Sequence, residues 1–307
     1  MFRSRLSLLV SAFALFVLAP TAHADNLLVG IGTTSGSVRE YTPTGALVGD
    51  FVSSSGGLND PWNMTFGPNG NLYVASDLGG DVREFNGQNG SFIATIATGL
   101  SNPVDLKFDS AGSLYVAEAG ANRISRINLL NGTTLQTYTN SVNGVYSLAF
   151  TTTGDLLATN YNDNNVVKID PISGTSTVFA TGITQPSGIT LGSDGRYYIA
   201  TSGGSVDVVG ASGGSASAWS SGQSLSTSAT FMTFDSGKLF VSVLSGVDYF
   251  DASTGQYGGF FSTGINNTTG ITVRTSSTTV PEPGSVALLL AGGLTGAILL
   301  RRRRKAA

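Results

Sequence analysis

The chain contains no cysteine and a single histidine, His23. Without cysteine no disulfide can brace the fold, and no thiolate can act as nucleophile or metal ligand. His23 lies in a segment that reads as a cleaved leader, so the mature chain has neither residue. Ser-His-Asp catalysis, cysteine nucleophiles and histidine-based zinc sites are thereby excluded. Charge is scarce as well, with Asp, Glu, Lys and Arg making up 11% of the residues and a formal net charge of −3. Setting aside Arg3, Arg5 and the basic residues at 301–305 leaves nine Lys and Arg; setting aside Glu282 leaves eighteen Asp and Glu. The body then carries a net charge near −9. An acidic body argues against a nucleic-acid partner, which needs clustered cations. It suits solubility and the binding of cations.

Long hydrophobic runs occur only at the two ends. Arg3 and Arg5 precede an apolar run over 6–18, and Ala22-His23-Ala24 forms an A-x-A cleavage site before Asp25. This is the pattern of a secretory signal peptide over 1–24, with the mature chain starting at Asp25. At the other end Pro281-Glu282-Pro283 leads into an apolar stretch, 284–300, and then into Arg301, Arg302, Arg303, Arg304 and Lys305. As a helix, 284–300 would span about 25 Å, short of a ~30 Å hydrocarbon core unless the arginine stems snorkel. The positive-inside rule keeps the basic cluster cytoplasmic and places everything before Pro281 outside. The two prolines favour extended backbone at the membrane surface, where a processing enzyme can reach it. The alternative is a permanent single-span anchor. Gly292 and Gly296 form a GxxxG pair that reflects either helix dimerisation or small-residue composition. In order and spacing, the tail over 281–307 resembles the PEP-CTERM sorting signal of Gram-negative bacteria. That resemblance implies an exosortase as processing partner, transient membrane contact through the C-terminal helix, and release of the body to the cell surface or the extracellular matrix.

About 255 residues remain between the two signals, enough for one large domain or two small ones. They repeat. Segments starting at Trp62, Val104, Tyr146, Ser187 and Thr230 each read as apolar strand, glycine turn, apolar strand. Their turn glycines are Gly70, Gly112, Gly154, Gly195 and Gly237, at intervals of 42, 42, 41 and 42 residues. A second turn recurs at Gly45, Gly90, Gly132, Gly174, Gly214 and Gly255, which is one copy more. The chain therefore starts inside a unit whose missing strand appears at the far end, as Gly270-Ile-Thr-Val273. A period near 42 with four short strands predicts propeller blades. The expectation is an all-β, six-bladed β-propeller over 25–275, closed by both termini, with 276–280 as linker; a parallel solenoid is the less suited alternative. Segment 213–228, rich in Ser, Gly and Ala, is expected to form a mobile loop.

The Asn102-Pro103 and Gln185-Pro186 lead-ins, the Asn-Gly and Asp-Gly turns and the Leu-Tyr-Val-Ala strands resemble NHL-type propellers. They are also similar to the regucalcin/gluconolactonase and streptogramin-lyase groups. These motifs specify blades rather than chemistry. The gluconolactonase-like resemblance implies a divalent ion held on the axis by Glu, Asn and Asp. Here Asn63, Asp105, Glu118 and Asn160 are the oxygen donors in adjacent blades, suited to Ca²⁺ or Mg²⁺. Phe231, Val243 and Ile31 at equivalent positions make half the ring apolar. The same polar residues could equally cap strand ends or bond turn backbone. A streptogramin-type lyase would require a catalytic histidine that the mature chain lacks. Gly210-Ala-Ser-Gly-Gly214 matches the G-x-S-x-G pattern but falls in a blade turn. Asn162-Asp-Asn-Asn165 lacks EF-hand spacing and reads as a hairpin. Trp62 and Tyr146 head inner strands and offer either an aromatic platform for a glycan or ordinary blade packing.

These readings lead to an exported, non-catalytic binding module. Exopolysaccharide or another surface protein is the expected partner, and no cofactor is certain. The alternative is a divalent-metal hydrolase or lactonase acting through Glu118, Asp105 and Asn160. A third is a structural spacer.

Overall fold

The computed structural model describes residues 25–220, 225, 229–262 and 265–275. The signal segment with Ala22 and Ala24, the linker, and the tail with Pro281, Glu282 and Pro283 lie outside the described residues. Among the described residues no helix is long and apolar enough to cross a membrane.

Six antiparallel sheets are arranged as blades. Their innermost strands are Thr268–Arg274, Pro61–Phe66, Pro103–Phe108, Val145–Phe150, Pro186–Leu191 and Ala229–Asp235, for blades 1 to 6 in turn. The second strands of blades 2 to 5, Leu72–Ser76, Leu114–Glu118, Leu156–Asn160 and Tyr197–Thr201, are buried at every residue. Both their faces are covered by neighbouring blades, which is why they read as unbroken apolar runs. Outer strands such as Phe92–Thr98 are largely exposed. The expected turn glycines take left-handed backbone, with φ from 75° to 92° at Gly70, Gly112, Gly154, Gly195 and Gly237, as a tight hairpin requires.

The apolar core is divided into clusters that each bridge two successive blades. Leu28, Val38 and Val52 of blade 1 pack on Met64, Leu72 and Phe85 of blade 2. The series ends with Phe231, Phe240 and Val247 of blade 6 against Leu27, Val29 and Ile271 of blade 1. No blade buries its faces alone, so stability depends on a closed ring. Closure takes the expected form: the first strand of the chain, Asn26–Ile31, pairs with the last, in the register Leu27↔Val273, Leu28↔Thr272 and Val29↔Ile271. Arg274 finishes the closing strand. Its Nη1 lies 2.5 Å from Glu40 Oε1, its Nη2 donates to Gln88 O at 2.7 Å, and its guanidinium covers Phe51. All six sheets of the described residues lie within Asn26–Arg274.

Blade 5 departs from the pattern. Its outer strand is reduced to Ser217–Ala218, while Gly214–Ser215 pairs in parallel with Ala180 and Thr181 of blade 4. A Ser/Gly/Ala stretch has no large side chains to hold a long outer strand in one place. The second-turn glycine of this blade is also Gly213 rather than Gly214. A Cβ at Gly213 would lie 2.3 Å from Phe179 O of the preceding blade. Gly90 and Gly132 make the same close approach to Phe51 O and Ile96 O. Within the segment expected to be a loop, Gly214–Ser215 and Ser217–Ala218 form two short strands; 221–224 and 226–228 lie outside the described residues.

Candidate binding site at the axial mouth

The inner strands lose register once per blade. The shifts fall between Pro61 and Met64, Pro103 and Asp105, Val145 and Leu148, Pro186 and Gly188, and Ala229 and Met232. Such a bulge leaves backbone N–H groups without a partner in their own sheet. Side chains of adjacent blades supply one. Asp105 Oδ1 accepts from Asn63 Nδ2 and from the Leu106 N–H, both at 2.7 Å. Its Oδ2 accepts from Ser147 Oγ at 2.9 Å and from the Leu148 N–H at 2.7 Å. Ser147 Oγ in turn accepts from the Ile189 N–H at 3.2 Å. A hydrogen-bonded belt thus runs around the axis from blade 2 to blade 5. Asp105 is wholly buried, and Lys107 Nζ stands 3.8 Å from its Oδ1. Where the belt position is glycine the neighbouring backbone closes in. A Cβ at Gly270 would lie 2.2 Å from Trp62 O, and one at Gly188 2.3 Å from Thr230 O.

Glu118 and Asn160 belong to a different device. Each ends the second strand of its blade, as Ser76 does, and each holds the loop that leads into the inner strand. Ser76 Oγ accepts from the Asn59 N–H at 2.9 Å, Glu118 Oε2 from the Ser101 N–H at 2.8 Å, and Asn160 Oδ1 from the Asn143 N–H at 3.1 Å. Glu118 also takes two hydrogen bonds from Arg123, each 2.8 Å, and one from Ser125. Burial works to raise its pKa. The Arg123 and Ser125 hydrogen bonds and the Ser101 N–H outweigh that, and hold the carboxyl below the ordinary glutamate range.

The four candidate metal ligands therefore fall into two sets with no hydrogen-bond partner in common. Asn63 and Asp105 are joined in the belt; Glu118 and Asn160 are committed to loops. Among the described residues no group of three or more acidic, His or Cys side chains is placed to hold a metal ion. A Ca²⁺ or Mg²⁺ site needs several free, converging oxygens; those of Asp105, Glu118 and Asn160 are already taken by N–H and O–H groups, which leaves Asn63 Oδ1, buried without a hydrogen-bond partner, as a lone donor. The residues present do not fit the ion that the gluconolactonase-like resemblance implies. Ser212, the serine of the G-x-S-x-G match, is exposed in a turn closed by the Gly213 N–H on Gly210 O. Asn162 and Asp163, in the hairpin between Leu156–Asn160 and Asn165–Ile169, hydrogen-bond Asn143 of the lead-in to the inner strand.

The mouth lies one residue nearer the strand ends than the belt. Trp62, Tyr146, Ser187 and Thr230 precede the belt position in their blades, and Tyr161 and Ser202 follow the second strands. With Phe231 they line a cavity of about 160 Å³. The loop residues are fixed by backbone hydrogen bonds to the lead-ins: Tyr161 N–H to Gly144 O at 3.0 Å, and Ser202 N–H to Gln185 O at 3.1 Å. Lead-in residues Asp60, Asn102 and Gln185 adopt φ near 50°, a left-handed backbone that Asn and Asp tolerate better than most residues. Trp62 stands 5.9 Å from Tyr146 and 6.4 Å, edge-on, from Phe231, and Tyr146 stands 5.1 Å from Tyr161.

Two carboxylates flank these rings. The Trp62 Nε1–H points to Asp60 Oδ2 at 3.4 Å. Burial raises the pKa of Asp60, with the Trp62 hydrogen bond opposing. Burial also raises that of Asp77; an Asn102 hydrogen bond lowers it and the charge of Asp60 adds to the rise. Tyr146 is pushed upward by burial, then by Tyr161 and Asp77. Sequence reasoning named Trp62 and Tyr146 as mouth residues and Phe231 as an apolar position in the same column, but gave no site role to Tyr161, Ser187, Ser202 or Thr230. The blade register alone would have pointed to Ser187 and Thr230, which begin their repeat segments as Trp62 and Tyr146 do.

The described ring is similar to solved propellers of low sequence identity. A nidogen/laminin complex chain matches with TM-score 0.70 and 15% identity, over 82% of this chain and 98% of that one. A catalytically inactive virginiamycin B lyase from Staphylococcus aureus, solved with quinupristin, matches with TM-score 0.56 and 15% identity, over 79% of this chain and 86% of that one. A streptogramin B lyase matches with TM-score 0.52 and 18% identity, over 75% and 71%. At such identities these likenesses establish the fold alone. No curated protein matches the chain in sequence. Residues 279–304 match the PEP-CTERM protein-sorting motif, and the chain is a six-bladed β-propeller carrying that signal at its C-terminal end.

Proposed function

We propose that this protein is an exported, exosortase-sorted surface propeller that acts as a non-catalytic binding module through its axial mouth. The sorting motif supports a secreted protein with transient membrane anchoring. The A-x-A site before Asp25 supports export by a cleaved signal peptide, and release leaves the body at the cell surface or in its matrix, among exopolysaccharide and other surface proteins.

One observation carries the binding reading. The cavity is lined by aromatic rings and hydroxyls, with no carboxylate, Lys or Arg among the lining residues. Such a lining suits holding a ligand, and the two carboxylates beside it, Asp60 and Asp77, stand behind the rings rather than paired with a nucleophile. The metal-hydrolase alternative lacks support, because Glu118, Asp105 and Asn160 are committed to separate structural roles. A lyase activity lacks support too. The related lyase is inactive with one histidine replaced by alanine, and the only histidine here, His23, precedes the expected mature start.

The test is retention on matrix. Purified residues 25–275 should co-sediment with extracellular matrix from sorting-competent cells, and Tyr146→Ala should release them without lowering their Tm. Equal retention of the variant would sink the mouth as the binding face. Replacing Pro281, Glu282 and Pro283 by alanine in the full chain should leave the tail attached, read as the unprocessed mass; an unchanged processed mass would overturn the sorting step.

A further inference from the structure

The mouth has a size, a shape and a charge, and together they select a ligand class. This inference rests on the reading of the mouth as the binding face and deepens it. An apolar cavity of ~150 Å³ takes one benzene molecule, so about six heavy atoms fit in a space of this kind. The mouth, at about 160 Å³, accepts a group of that size. A hexose has about twice as many heavy atoms, and small-molecule pockets in general run from roughly 300 Å³ upward.

The shape is that of a cage rather than a platform. Trp62 and Tyr146 are inclined by 39°, Tyr146 and Tyr161 by 49°, and Trp62 and Phe231 by 87°. Rings at several angles present their negative faces and edges around one volume, whereas a sugar stacks on a single flat face. The lining holds no Asn, Gln, Arg or Lys, the side chains that read sugar hydroxyls by paired hydrogen bonds. Its serine and threonine hydroxyls already have protein acceptors within reach: Ser187 on Ala200 O, Ser202 on Gln185 Oε1 and Thr230 on Thr269 O.

The charge has one sign. Asp60 accepts the Trp62 indole proton, which makes that ring richer in electrons. Asp77 lies close enough to act on both Asp60 and Tyr146, and its Oδ1 is buried without a hydrogen-bond partner among the described residues. Cation–π contacts within the described chain fall on other rings, Phe51, Phe92, Tyr115, Tyr198, Phe240 and Tyr249. No lysine or arginine of the described residues covers the four mouth rings. We propose that the mouth is an aromatic cage for an alkylated ammonium group, a trimethylammonium head of about five heavy atoms being the best fit.

The experiment is calorimetric titration of residues 25–275, which hold all six described sheets, with choline, with its neutral isostere 3,3-dimethylbutanol, and with glucose and cellobiose. Choline should bind with one-to-one stoichiometry, and the neutral isostere at least about tenfold more weakly, because shape is kept and charge removed. Trp62→Ala should weaken choline about thirtyfold, the equivalent of a desolvated cation–π contact of ~2 kcal/mol. Trp62→Phe should restore part of it, which a folding defect would not. Asp60→Asn should weaken choline while leaving the isostere unchanged. Equal binding of choline and its isostere, or choline binding untouched by Trp62→Ala and Asp60→Asn, would overturn the proposal. Sugar binding lost on Trp62→Ala, with no choline binding, would overturn the ammonium assignment and leave the mouth as binding face. No binding of any probe, together with matrix retention insensitive to Tyr146→Ala, would overturn both.

Discussion

Asp105 offers the sharpest test of the belt. Its carboxylate is wholly buried and accepts from Asn63 Nδ2, Leu106 N–H, Ser147 Oγ and Leu148 N–H. Asp105→Ala leaves the two backbone donors and the Asn63 amide with no acceptor; Ser147 can rotate. Each buried donor so orphaned costs about 1–3 kcal/mol, or roughly 3–9 for three. Relief of the buried charge and entry of water offset part of this, so the net loss is about 3–5 kcal/mol. In a domain of this size that lowers Tm by roughly 6–20 °C. Asp105→Asn is isosteric yet should rescue little. Turned one way, its NH₂ faces two donors, Asn63 Nδ2 and the Leu106 N–H; turned the other, Ser147 Oγ can rotate to accept but the Leu148 N–H still faces a donor. The loss expected for Asn is about 2–4 kcal/mol. The assay is urea and thermal unfolding of residues 25–275, followed by tryptophan fluorescence with and without calcium. An Asn variant melting within 2 °C of the parent would refute the donor-counting argument. So would a calcium-induced rise in Tm that the Asn variant abolishes without lowering the calcium-free Tm, since that is the behaviour of a metal ligand.

Other outcomes follow from the same geometry. Gly270→Ala drives a Cβ to 2.2 Å from Trp62 O and should cost about 1–3 kcal/mol; a variant as stable as the parent in urea would contradict the close approach. Arg274→Ala removes the latch on Glu40, Gln88 and Phe51. It should cost about 1–2 kcal/mol and speed amide exchange first in Asn26–Ile31; uniform exchange across the blades would argue against closure at that seam. Burial holds the pKa of Asp207 above its ordinary 3.8, so its ionisation opposes folding. That cost is absent below the unfolded value and grows as pH rises through the raised one. Asp207→Asn should therefore raise Tm at pH 7 and not at pH 3. Glu118 has the opposite sign: its lowered pKa gives stability above the unfolded value that is lost as pH falls through the folded one. Glu118→Gln should lower Tm at pH 7, with the difference shrinking in acid. Thermal scans of both variants at the two pH values read the signs directly.

Much of the ring was legible in the chain because its determinants are local. A left-handed glycine recurs where each hairpin turns, and one extra second-turn glycine revealed a unit divided between the termini. The burial of the second strands was visible as apolar runs such as Leu114–Glu118. The site was less legible, for two reasons. The inner strands carry a bulge, and a one-residue change of register moves side chains between levels. Asn63 and Asp105 were therefore read as open oxygen donors on the axis, while the structure buries them in a belt with Ser147 and lines the mouth with Trp62, Tyr146, Ser187 and Thr230. The second reason is that hydrogen-bond partners are not local. Glu118 and Asn160 look like free oxygen donors until the loops at Ser101 and Asn143 are seen against them. Gly213 replaced Gly214 because the contact that selects it, with Phe179 O, comes from the preceding blade.

Native mass spectrometry of residues 25–275, in excess calcium and then in chelator, tests most directly the claim that the axial polar residues are structural and that the mouth binds without metal. The account predicts the metal-free mass in both conditions and the same behaviour for Glu118→Gln. One stoichiometric calcium ion, removed by the chelator and absent from Glu118→Gln, would contradict it and return the axis to the metal-hydrolase reading.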